Sequence, residues 1–96
     1  MPSYQVRDVV AMAKQHVAEL FQEESVFNIG LEEVVHDEAK NVWRVTIGFS
    51  RPWDEPKNPL TSFIDKPVFP RRTYKVVTIS DDAGDITAVR NLDSRE

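Results

Sequence analysis

Side chains that could do chemistry are few and far apart in this chain. His16 and His36 are its two histidines, and only His36 has acidic neighbours, Asp37 and Glu38. Such a run could bind a metal ion weakly, but structural metal sites need ligands that converge from fixed positions. We therefore expect a solvated, charged hairpin tip at residues 36–38 and no metal.

Glu32 and Glu33 form an adjacent pair of carboxylates, a residue type used for general acid–base catalysis. They fall in a segment that reads as a β-strand, where neighbouring side chains point to opposite faces of the sheet. We expect these two carboxylates to be solvated and unable to act together.

Nucleophilic chemistry has no clear signature either. The chain has no cysteine, which excludes disulfides, zinc–thiolate sites and thiol catalysis. Ser25, Ser50, Ser62 and Ser80 lack the context of a nucleophile elbow, and the three glycines form no phosphate-binding loop. The residues predict a protein that is not an enzyme and carries no cofactor.

The composition is that of an ordinary globular protein, with 41% hydrophobic and 29% charged residues. The 96 residues predict one domain over residues 1–96, with residues 93–96 as a frayed tail. A net charge of −4 disfavours nucleic-acid binding. Because neither a signal-peptide pattern nor an apolar run of membrane length is visible, we expect a cytoplasmic protein that does not bind membranes.

An amphipathic helix is predicted near the N-terminus, because apolar residues recur there at helical spacing. They are Val6, Val9, Val10, Ala13, Val17, Leu20 and Phe21. We expect this stripe to belong to the core, and Ser3 or Asp8 to cap the helix.

Four strands are predicted after the helix, over residues 29–36, 43–49, 74–79 and 86–92. In the first, Leu31, Val34 and Val35 do not share a period of two, which indicates either a bulge or partial cover on both faces. The second alternates cleanly from Trp43 to Phe49. Gly84 can supply the positive φ of the turn between the last two strands.

Strands joined as successive hairpins predict an antiparallel meander. The expected fold is α+β, with the N-terminal helix packed on a four-stranded antiparallel sheet in the order α-β-β-β-β. The second face of the sheet would stay open, with Arg44, Thr46 and either Thr78 or Lys75 among its residues.

The connection between the second and third strands, residues 51–72, is longer than this fold requires. Loops above about 12–15 residues in compact domains are usually functional or disordered. This one carries five basic and three acidic residues, a net charge of +2. It is also rich in proline, which restricts the backbone and lowers the ordering cost of binding.

The loop supplies the candidate partner-binding residues, which are aromatic and arginine side chains of the types enriched at interface hot spots. They are Arg51, Trp53, Phe63, Phe69, Arg71 and Arg72. An alternative is that the apolar members, Leu60, Phe63, Ile64 and Phe69, fold back and close the core. Both hold if those residues pack inward while Trp53 and the arginines face a partner.

Two stretches resemble the strand–turn–strand phrases of PepSY-like domains, in which an aromatic-led strand runs into an acidic, glycine-containing turn and another strand. They are residues 41–47 and 74–86. The order of the whole chain is similar to that of small, uncharacterised bacterial single-domain proteins. The resemblance implies a helix packed on an antiparallel sheet and a role in binding or inhibition. We expect this chain to lack the export signal usual among PepSY-like domains, and its middle loop is unusually long.

We therefore expect a non-catalytic protein-binding module, of the immunity or inhibitor type, that recognises another protein through residues 51–72. A homodimer that associates through the open sheet face or an edge strand is an alternative. A third hypothesis is a small-ligand pocket between loop and sheet, formed by Trp43, Trp53 and Arg51.

Overall fold

The computed structural model describes residues 3–54 and 72–92. Helix α1 spans Val6–Leu20, and the four strands are β1 (Phe27–Asp37), β2 (Val42–Ser50), β3 (Thr73–Ser80) and β4 (Ile86–Asn91). Two short 3-10 helices, Gln22–Glu24 and Pro52–Asp54, follow α1 and β2. The predicted order of one helix and four strands is confirmed.

The sheet is an antiparallel meander in which each strand pairs with the next one along the chain. Helix α1 packs on one face, so the predicted α+β fold class is confirmed. Residues 55–71, which contain Phe63, Phe69 and Arg71, lie outside the described residues, and so do residues 93–96.

The core lies between α1 and the helix-facing side of the two central strands. Val9, Ala13 and Val17 face the sheet at a spacing of four residues, and all three are buried. The sheet contributes the alternating residues Trp43, Val45, Ile47, Phe49, Val77 and Ile79. Burial of each large apolar side chain contributes about 1.5–3 kcal/mol before entropy is subtracted.

The ends of the helix differ from the sequence-based expectation. Val6 and Leu20 are 49% and 53% exposed, because they lie in the first and last turns, outside the buried centre of the helix. Gln5 is the N-cap residue, and Asp8 accepts a hydrogen bond of 3.1 Å from its backbone N–H. The prediction that Ser3 or Asp8 occupies the N-cap position is therefore wrong, although Asp8 still stabilises this end of the helix.

Strand β1 contains a bulge, one of the two explanations predicted from the irregular spacing of its apolar residues. Its register to β2 shifts between Leu31 and Glu33, so Glu33 lies opposite Thr46 on the face away from the helix. The intervening Glu32 places its Oε2 3.0 Å from where a Cβ on Gly48 would lie, also on that face. The expectation that these two carboxylates point to opposite faces is wrong, because a bulge breaks the alternation of side chains.

The open face of the sheet is partly closed at one end. Thr78 lies opposite Arg44 on this face, whereas Lys75 lies opposite Ile47 on the helix side. Thr46, which we expected to be exposed on this face, is buried. Gly48 is also covered, since an added Cβ would lie 2.9 Å from Cε1 of Tyr74.

Within residues 3–54 and 72–92, no helix has the length and apolar character needed to cross a membrane.

Candidate functional site

The sheet has two ends with different chemistry. At one end, Arg51 follows β2 directly, and the last residues of β2 pair with the start of β1 and of β3. We call this the Arg51 end. The opposite end, where β3 meets the turn that leads to β4, is called the Asp81 end.

Arg51 is half-buried and held from several sides. Its Nε–H donates to Oε1 of Glu24, and its Nη1–H donates to Oγ1 of Thr73 at 2.8 Å. The guanidinium carbon also lies 5.2 Å from the centre of the Phe49 ring and 5.8 Å from that of Phe21. Cations within about 6 Å of an aromatic ring are attracted to its face. Arg51 thus links the end of the helix to the two central strands.

A second cation lies at the same helix end. Lys75 places its Nζ 5.4 Å from the centre of the Phe21 ring and donates to Oδ1 of Asn91. Phe21 also packs on Phe49, with 5.3 Å between the ring centres. The residue that closes α1 is therefore fixed between the two cations and the core.

Trp53 is the exposed aromatic residue of this end. It lies in the 3-10 turn after Arg51, and its side chain is 56% exposed. The guanidinium carbon of Arg51 lies 5.5 Å from the centre of its ring. Because Arg51 is itself bound to Glu24 and Thr73, the ring rests on a fixed group while most of its surface meets solvent.

Arg72 lies directly before β3 at the Arg51 end, and its guanidinium binds groups of β1 and β2. Its Nη2–H donates to the backbone carbonyl of Asn28 at 2.9 Å, and Nη1 lies 3.5 Å from Oγ of Ser50. Oε2 of Glu32 lies 3.9 Å from Nη2. Arg72 therefore connects the start of β1 to the end of β2.

Three of the six predicted site residues are thus described, and the structure brings them to one end of the sheet. Phe63, Phe69 and Arg71 lie in the segment that the structure does not describe. Trp43, suggested as part of a small-ligand pocket with Arg51 and Trp53, is eight residues before Arg51. At about 3.3 Å per residue the separation along the strand is about 26 Å, so Trp43 does not join them.

The Asp81 end holds a buried carboxylate. Asp81 is 1% exposed and accepts hydrogen bonds from the backbone N–H of Ser3 at 2.7 Å, that of Tyr4 at 3.2 Å and Nε1–H of Trp43 at 2.8 Å. Burial acts to raise the pKa of Asp81, but these donors, aided by the nearby His36, outweigh it and lower the pKa below 3.8. The carboxylate thus stays charged and ties the residues before α1 to the sheet.

Residues 36–38 make structural contacts and do not converge as metal ligands. The ring of His36 packs on Trp43 with 4.6 Å between centres. Asp37 accepts from Nη2–H of Arg44 at 2.8 Å and from the N–H of Lys40, and these bonds lower its pKa. Among the residues that the structure describes, no group of three or more His, Asp or Glu side chains is placed to hold a metal ion.

Sequence reasoning missed the residues that fix the site. Phe21 was predicted only as a member of the helix stripe and Glu24 was not singled out, whereas their contacts with Arg51 join segments about 30 residues apart. The expected fold could have indicated these contacts, because it places the end of the helix and the end of β2 on the same side of the sheet. Asp81 was read as a turn residue, although a buried Trp43 needs an acceptor for its N–H.

No known protein family, no curated protein and no solved structure matches this chain.

Proposed function

We propose that this domain is a non-catalytic protein-binding module, and that Trp53 is the centre of its contact surface. The observation that carries the proposal is the combination of a 56% exposed indole ring with a fixed cation beneath it. Tryptophan and arginine are the side chains most enriched at interface hot spots.

The support beneath Trp53 is rigid, which favours binding. The preceding residues of β2, from Val45 to Ser50, are buried, and Arg51 is anchored on both β3 and the 3-10 helix that follows α1. Ordering a mobile side chain on binding costs about 0.5–1.5 kcal/mol. Part of this cost is already met for Trp53 before a partner arrives.

The surroundings of Trp53 suit a protein partner better than a small ligand. Leu20, 53% exposed, adds apolar surface at the end of α1, next to the Phe21 that contacts Arg51. Glu19 and Glu23, which are close to Leu20 in the sequence, are exposed and charged. An apolar centre with a polar rim is the usual anatomy of a protein interface. A role of the immunity or inhibitor type agrees with the small size, with the acidic charge and with the resemblance to PepSY-like domains.

The proposal is tested by comparing two variants that each remove one exposed apolar side chain. Trp53→Ala removes the candidate anchor, and Val35→Ala removes an apolar side chain of β1 that is 43% exposed. Wild type and both variants are used as bait in lysate of the source organism, and captured proteins are quantified by mass spectrometry. A partner of this surface is captured by wild type and Val35→Ala but not by Trp53→Ala.

The captured protein is then purified and titrated calorimetrically against all three baits. A hot-spot residue contributes about 2 kcal/mol or more, so Trp53→Ala should weaken binding about 30-fold while Val35→Ala changes it less than threefold. Equal affinity of Trp53→Ala and wild type for every captured protein would remove Trp53 from the interface.

A further inference from the structure

The two outer strands of the sheet, β1 and β4, differ in how well they are protected against pairing with another chain. Strand β1 has two register shifts, a positive φ of 55° at Asn28 and the exposed acids Glu32 and Glu33. Bulges and charges of this kind discourage edge-to-edge association. Strand β4 has one charged residue, Arg90, and one register shift, at Thr87, after which its register to β3 is regular from Ala88 to Asn91.

The outward backbone groups of β4 follow from one hydrogen bond. The N–H of Leu92 donates to the carbonyl of Tyr74 at 3.2 Å, so Leu92 directs its backbone groups toward β3. Successive residues of an antiparallel strand alternate in this respect. The N–H and C=O groups of Val89 and Asn91 therefore point away from β3. No strand lies beyond them in the described part of the chain.

We propose that this edge pairs with β4 of a second copy of the chain, antiparallel and about a twofold axis at Val89. The result is a continuous eight-stranded sheet with an isologous interface. The dimer does not depend on the partner-binding proposal, because the Trp53 contact described above is with Arg51 and not with β4.

The register follows from parity and charge. Outward groups must face outward groups, so within the regular stretch from Ala88 to Asn91 the partner of Val89 is either Val89 or Asn91 of the other copy. The second register sets Arg90 directly opposite Arg90, and like charges placed opposite each other are destabilising. The first sets Arg90 opposite Ala88, where no charge is opposed. A second copy therefore satisfies this edge without a conflict of charge.

The side chains support the same register. Val89 is half-buried and packs against the core on the helix side of the sheet. Its pairing with Val89 of the second copy joins two β-branched side chains at cross-strand distance and extends both cores toward each other. The edge left unpaired among residues 3–54 and 72–92, the charge pattern and the apolar pair thus agree on one occupant.

Sedimentation equilibrium tests the proposal with two substitutions at one position. Ala88→Arg places a cation opposite Arg90 of the other copy, and Ala88→Glu places an anion there. Two symmetric contacts should weaken the dimer about three- to tenfold in Ala88→Arg and strengthen it by a similar factor in Ala88→Glu. Trp53→Ala should dissociate like wild type.

Amide hydrogen exchange provides a second measurement. The N–H of Val89 should exchange more slowly as protein concentration rises, whereas those of Ala88 and Arg90 should be protected at every concentration. Three results would each overturn the proposal: a monomer up to millimolar concentration, a dimer unaffected by both Ala88 substitutions, or dissociation caused by Trp53→Ala. In the last case the Trp53 surface itself would be the interface between copies.

Discussion

Each end of the sheet contains one tryptophan and a charged partner, but the two ends use them in opposite ways. At the Asp81 end, Trp43 is 5% exposed and donates its indole N–H to the carboxylate of Asp81. At the Arg51 end, Trp53 presents the face of its ring to a guanidinium and is 56% exposed. A tryptophan with a charged partner can thus belong either to the core or to an exposed surface.

The difference arises from which part of the indole meets the charge. A bond to the N–H points the ring inward, because the buried acceptor lies below it and needs further donors from the chain. A contact with the ring face occupies one side of the indole, and Trp53 stays 56% exposed. Burial at one end and availability at the other follow from this geometry.

Replacement of the two tryptophans by alanine should give the largest contrast. Trp43→Ala leaves a cavity and removes one donor from buried Asp81, so it should lower the free energy of unfolding by about 3–5 kcal/mol. Trp53→Ala should cost less than about 1 kcal/mol, the value of an exposed cation–π contact. Urea denaturation followed by circular dichroism measures both. Similar losses in the two variants would abolish the distinction between the ends.

Neutralising the acid at each end should give the next largest difference in stability. The pH dependence of that difference distinguishes the two acids. The pKa of Asp81 is lower in the folded than in the unfolded chain, so its stabilisation is present above about pH 4 and is lost as pH falls through the folded value. Asp81→Asn should therefore be less stable than wild type at pH 7, and this deficit should shrink toward pH 3. Glu24→Gln, at the Arg51 end, should lose less stability at pH 7. Urea midpoints measured from pH 7 to pH 3 test this, and a deficit independent of pH would contradict it.

Glycine replacements should give the smallest contrast. Gly84 has a φ of 73°, and an added Cβ would lie 2.8 Å from Cζ of Tyr4. Gly84→Ala should cost about 1–2 kcal/mol for the left-handed backbone alone. Gly30 near Arg72 has space, with the closest atom 3.8 Å from an added Cβ. Thermal unfolding should show Gly30→Ala close to wild type and Gly84→Ala less stable, and an equally stable Gly84→Ala would contradict a left-handed backbone at residue 84.

The fold could be predicted because its signals are local. The clean alternation of β2 fixed which residues face the helix, and the acidic turn with Gly84 correctly marked the last hairpin. The irregular spacing of apolar residues in β1 indicated a bulge but not its position. The predicted directions of the Glu32 and Glu33 side chains were wrong for this reason. The resemblance to PepSY-like domains stays a prediction.

The site could be predicted less completely because its supports are distant in sequence. Arg51 and Trp53 stood out by residue type and by their place after β2. Their anchor Glu24 did not, since an acid at a helix end is ordinarily solvated and the pairing spans 27 residues. A buried acid such as Asp81 has no local pattern at all, because its donors come from two distant parts of the chain, residues 3–4 and Trp43.

The tether at Asp81 has a practical consequence for handling this protein. Because Ser3 is bound at that end, a tag or linker joined to the N-terminus departs from the side of the sheet remote from Trp53. Immobilisation on a biosensor through such a tag would turn the Trp53 surface toward the flowing analyte.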